Sequence, residues 1–173
     1  MKASSLGSIV PFTVFFPLFF LSSCLGASTL RQPQELQGKL QEGGSAPFPF
    51  LLLVTPTQKY WEITGPLQEE LRSFVGMEVK LQGQESARGV LYPRFIAAQY
   101  DILSAGGEGK RPLLGYVEEQ QGKVLFRSAD MSTPLQLTGP LLPQFHTLVG
   151  KRIWVIGERE KETLEVKRFG VIR

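Results

Sequence analysis

The chain is poor in the residues that do chemistry. Among 173 residues there is one cysteine, Cys24, and one histidine, His146. A single cysteine excludes an internal disulfide, and the two residues together make no thiolate–imidazole cluster for a transition metal. His146 falls on an expected helix, where the matching position of an internal repeat holds Arg72, and so reads as a solvated residue. Glu69-Glu70 and Glu118-Glu119 are adjacent in sequence, so neither pair converges on one face. Glu158, Glu160 and Glu162 alternate with Arg159 and Lys161, the pattern of a charged solvated loop. No glycine-rich phosphate cradle is present, and no carboxylate spacing matches a dedicated calcium loop. These absences lead us to expect a non-enzymatic protein with no cofactor and no metal. Charge of one sign is scarce as well: 19 Lys and Arg face 16 Asp and Glu. So small an excess gives no argument for a nucleic-acid partner.

A long apolar run is also missing. Residues 9–21 are apolar and rich in Phe, but Pro11, Thr13 and Pro17 interrupt them, and the run is shorter than the ~20 residues of a membrane span. Preceded by Lys2, it suits the core of a signal peptide. It leads into Leu21-Ser22-Ser23-Cys24, which resembles the bacterial lipobox: an aliphatic residue, two small residues and cysteine. The resemblance implies a lipoprotein signal peptide over 1–23, cleavage before Cys24, and acylation of the Cys24 thiol with palmitate-like chains. Residues 24–33 then form a tether, and the remainder is a soluble part held outside the cytoplasmic membrane. Leu25, rather than Asp, follows the cysteine. In a bacterium with two membranes this implies delivery to the outer membrane, facing the periplasm. The alternative is that Cys24 is a plain thiol in an ordinary signal peptide.

What the chain has in plenty is itself. Thr64-Gly65-Pro66-Leu67 recurs as Thr138-Gly139-Pro140-Leu141, and Leu71, Val75, Gly76, Val79, Leu81 and Gly83 then match Phe145, Val149, Gly150, Ile153, Val155 and Gly157. Upstream, Leu36, Gly38, Leu40 and Glu42 match Leu113, Gly115, Val117 and Glu119. Downstream, Phe95, Ala97, Tyr100 and Ile102 match Leu164, Val166, Phe169 and Val171. Length differences fall at 43–49 and 84–94, where loops are expected. The chain therefore divides into one unit at 34–104, a Gly-rich linker at 105–110, and a second unit at 111–173.

Periodicity orders the elements within a unit. Residues 113–118, 124–127 and 135–137 read as strands, with Gln121-Gly122 as a hairpin turn. The period then lengthens: Leu67, Leu71 and Val75, like Leu141, Phe145 and Val149, lie four apart on one helical face. Pro66 and Pro140 suit a first helical turn, Gly76 and Gly150 a C-terminal cap. Strands at 77–82 and 95–103, and at 151–156 and 164–172, complete the units. The change of spacing before Tyr100 and Phe169 predicts a β-bulge in the last strand. A mainly β chain of two tandem five-stranded units, each with a short helix between strands three and four, resembles the bacterial periplasmic OB-fold proteins. That resemblance implies two small Greek-key barrels. Another small barrel or a mixed α+β unit shares the same element order.

Comparing copies sorts the candidate site residues. Trp61 faces Leu135 across the repeat and belongs to the core. Trp154 faces Lys80 and points outward beside Arg152 and Ile156. That stripe packs on the first unit, meets an external partner, or is a lone exposed aromatic. Tyr116 faces Lys39 and points outward as well. The 84–94 loop carries Arg88, Tyr92 and Arg94; it is either a recognition loop or a solvated hairpin tip. The expected function is a non-catalytic binding or adaptor lipoprotein for an envelope protein or glycan. OB-fold binding of single-stranded nucleic acid or oligosaccharide outside the cytoplasm is the alternative.

Overall fold

Alternation builds the first strand, because Leu36, Gly38 and Leu40 turn inward while Gln37, Lys39 and Gln41 stay in water. In the computed structural model, the described residues are 33–173 apart from 46, 48, 87, 88, 90, 107 and 108. The expectations for the signal segment, the lipobox, Cys24 and Arg88 therefore lie outside the described residues. The first unit comprises β1 (Gln34–Gly43), β2 (Phe50–Val54), β3 (Tyr60–Thr64), α1 (Gln68–Arg72), β4 (Glu78–Glu85) and β5 (Arg94–Ser104). The second comprises β6 (Leu113–Gln120), β7 (Lys123–Arg127), β8 (Leu135–Thr138), α2 (Leu142–Phe145) with a 3-10 turn (His146–Leu148), β9 (Arg152–Glu160) and β10 (Thr163–Val171).

The protein is mainly β, with two similar five-stranded sheets. In each, every strand is bonded to two others, in the cyclic orders β1-β2-β3-β5-β4 and β6-β7-β8-β10-β9, so the ladder closes into a barrel. The pairs β3–β5 and β8–β10 are parallel. Closure removes the unpaired edges that an open sheet exposes. The interiors are filled from matching positions. Leu40, Leu51, Leu53, Ile63, Val79, Leu81 and Phe95 line the first; Val117, Val124, Phe126, Leu135, Leu137, Ile153, Val155 and Leu164 line the second.

The glycines shared by the copies have a steric cause. A Cβ on Gly38 would lie 2.3 Å from the carbonyl oxygen of Val54, and one on Gly115 would lie 2.3 Å from that of Arg127. The first strand of each barrel crosses its neighbour too closely for any side chain. The predicted bulge is present in both copies, as a register shift at Gln82/Gly83 opposite β5 and at Val166/Arg168 in β10. The Gln121-Gly122 hairpin is present too, both residues having positive φ.

The helices depart from expectation. Leu71 and Phe145 are buried, but Val75 and Val149 are exposed. The chain after α1 closes i→i+3 bonds, Phe74 to Leu71 and Val75 to Arg72, so the period tightens to 3-10 geometry. That rotation turns Phe74 into the core in place of Val75. Pro66 and Pro140 stand just before the N-caps Leu67 and Leu141; in α2 Pro143 occupies the first turn, and α1 has no proline there. Gly76 and Gly150 do turn the chain, with φ of 90° and 79°. The supposed charged loop at 158–162 is mostly strand, since β9 runs to Glu160 and only Lys161-Glu162 turn the hairpin.

Gly38→Ala and Gly115→Ala should each lower stability by about 1–3 kcal/mol through forced backbone displacement. Urea midpoints of the two variants against wild type measure it.

Candidate binding surface

The Arg152, Trp154 and Ile156 stripe points away from its own barrel, as the copy comparison places it. The first barrel covers it. Trp154 is 9% exposed and Ile156 is buried, and both belong to the first barrel's hydrophobic cluster together with Ile172. The indole N–H donates to the Ser73 carbonyl oxygen at 3.1 Å. Gly170 lies under the ring, where a Cβ would come within 2.5 Å of Nε1. Arg152 reaches a Glu70 carboxylate oxygen at 2.5 Å, and the Tyr100 hydroxyl donates to the same oxygen. Of the readings left open for the stripe, packing on the first barrel is the one present, and the stripe is no exposed surface. Burial, followed by the hydrogen bond to Glu70 and its charge, raises the Tyr100 pKa well above the usual phenol value; Arg152 opposes the shift.

The remaining candidates separate. Tyr116 is 51% exposed on β6, opposite Arg127 and Arg152 in the strand register. It makes no ring contact among the described residues. Arg94 is tied down, its Nε 3.0 Å from Glu62. Tyr92 does something the sequence did not announce. Its ring centroid lies 6.0 Å from that of Phe50 and 5.7 Å from that of Tyr60, so Tyr92 packs back onto the strands.

Phe50 and Tyr60 are the residues that sequence reasoning missed. Leu51 and Leu53 fill the barrel, so Phe50, Leu52 and Val54 point outward on β2, and the register sets Tyr60 beside Val54 and Glu62 beside Leu52. Leu52 is only 6% exposed although it lies outside the interior cluster. Tyr92 spans Phe50 and Tyr60 on that outer face. The signal was in β2 itself: Phe50-Leu51-Leu52-Leu53-Val54 is apolar without alternation, which marks a strand covered on both faces.

The second barrel carries no such patch. Its register places Lys123 where the first has Phe50, and Pro134 where the first has Tyr60. Its β9–β10 turn is too short to bring any ring across. Tyr60 is 39% exposed, so the patch has an open flank. Beside that flank runs a groove of about 310 Å³, bordered by Lys39, Gln41, Thr55, Gln58 and Glu78. Among the described residues no three His, Cys, Asp or Glu side chains converge to hold a metal. No described helix is long and apolar enough to cross a membrane. The chain matches no protein-family model and no curated relative.

The Tyr100 environment carries a sign. A phenol whose pKa is raised by folding contributes stability below its unfolded value, and that contribution is lost as pH rises past about 10. Wild type should therefore lose stability from about pH 10 upward. Tyr100→Phe should be less stable at neutral pH but show a flatter alkaline loss in urea titrations.

Proposed function

We propose that this is a lipid-anchored envelope protein that binds, without catalysis, an envelope protein or glycan through the outer face of its first barrel. The observation that carries this reading is the aromatic patch of Phe50, Tyr60 and Tyr92, built in one copy of a duplicated fold and absent from the other. The element order, the ring order of strands and the helix between strands three and four support an OB-fold for both barrels. In that fold the face of strands two and three, with its flanking loops, is the customary binding surface. Tyr60 and Phe50 occupy that face here, and Tyr92 reaches it from a flanking loop. Stacking rings also suit the bases of a single-stranded nucleic acid. The charge beside them argues against it, since Arg94 is paired with Glu62 and Lys39 lies opposite Glu78.

The lipobox supports attachment through Cys24, with the barrels facing the periplasm from the outer membrane. Two or more acyl chains suffice for stable anchoring. Cys24→Ala should abolish palmitate labelling and release the protein from the membrane fraction; retention there without label would refute the anchor.

The binding face is tested by site-specific photo-crosslinking in cells. A photoreactive residue replacing Lys59, which is exposed next to Tyr60, should give a discrete adduct. Tyr60→Ala with Tyr92→Ala should remove that adduct while circular dichroism stays unchanged. An adduct that survives the double variant removes the patch from the interface.

A further inference from the structure

We propose that the groove beside Tyr60 is a subsite for a neutral oligosaccharide. This rests on reading the same face as the binding surface, and it names the ligand class. The groove is formed where β1 and the β2–β3 turn meet the start of β4. Its volume of about 310 Å³ is at the lower end of ligand sites, with room for a di- or trisaccharide.

The lining is chemically selective. Gln37, Gln41 and Gln58 present primary amides, each able both to donate and to accept. No other side chain engages these amides among the described residues. Gln58 is held in place by its turn. It takes a φ of 59°, which few residues without glycine's freedom adopt, and its N–H donates to the Thr55 carbonyl oxygen at 2.9 Å. The Thr55 hydroxyl oxygen accepts the Lys59 N–H at 3.1 Å and closes the same turn. The Tyr60 ring forms one wall. A sugar offers a ring face of C–H bonds to an aromatic plane and a rim of hydroxyls to amides, and both are present here side by side.

Other ligand classes fit less well. A nucleic acid needs several cations along its path, whereas the charged residues lining the groove among the described residues, Lys39 and Glu78, are opposite in sign and neighbours in the strand register. An extended peptide adds to a free sheet edge, and a closed barrel offers none. A polyproline segment lies in slots between aromatic ridges, but here the rings touch each other and leave no slot. The second barrel fills the corresponding place with an ion pair, Arg127 Nε to Glu118 at 2.6 Å, in line with a site confined to the first.

The test uses the full chain in detergent micelles and saturation-transfer NMR. The probes are chitopentaose, cellopentaose and maltopentaose, with oligo-dT and a proline-rich peptide as counter-probes. At least one pentasaccharide should bind with a Kd below ~1 mM. Tyr60→Ala and Gln41→Leu should each weaken it about tenfold, and Tyr116→Ala should leave it unchanged. Gln41 is exposed, so its variant keeps the fold and isolates the amide. No transfer to any pentasaccharide at ~10 mM, or transfer indifferent to both groove variants, overturns the proposal. Transfer to oligo-dT or to the peptide, lost with Tyr60→Ala, overturns the sugar assignment as well. Those results leave the binding face itself standing, because its own test is the cellular crosslink.

Discussion

Trp154 seats the second barrel on the first, and the accessible surface of the protein follows from that seat. The indole is buried between Ser73 of the first barrel and Gly170 of its own. Truncating so buried an aromatic costs about 3–5 kcal/mol in typical cores. The neighbouring Arg152–Glu70 pair is partly exposed on both sides, and pairs of that kind contribute at most about 1 kcal/mol. Apolar burial therefore dominates the contact, and the charges fix its orientation. The contact uses Glu70 of α1, Ser73 just after it and Tyr100 of β5, and leaves Tyr60 on β3 exposed.

Duplication has shaped the two barrels unequally. Positions that enforce closure are the same in both: the close-packed Gly38 and Gly115, the bulge near the middle of the last strand, and the turning Gly76 and Gly150. Positions on the outer faces are not. Tyr100 with Glu70 in one copy becomes Phe169 with Gln144 in the other, and only the first pair meets Arg152. Phe50 becomes Lys123 and Tyr60 becomes Pro134. One barrel has specialised as the receiver of its twin and as the bearer of an aromatic face; the other supplies the Trp-bearing strand.

Much of this was legible in the chain because duplicated positions test each other. The strands follow from periodicity and the bulge from a change of spacing that recurs before Tyr100 and Phe169, while the outward direction of Trp154 follows from its match with Lys80. The 3-10 tightening after α1 was not legible, since Val75 and Phe74 are both apolar and only the hydrogen-bond pattern chooses between them. The cluster on β2 was hidden for a related reason. A strand apolar on both faces gives no alternation, and the residue that completes the patch, Tyr92, arrives from a loop without a counterpart in the second copy. An inserted residue such as Tyr92 has no twin position that would reveal its role.

The seat of Trp154 also orders events in time. The first barrel is complete in strands once Ser104 has emerged, yet its apolar cluster includes Trp154, Ile156 and Ile172. During synthesis from the N-terminus, the nascent first barrel must carry an uncovered apolar socket around Ser73 and Phe74 until the β9 strand follows. Such transient surfaces invite aggregation. A holding chaperone has its longest opportunity there, and the last strands to appear act as the stopper that ends it.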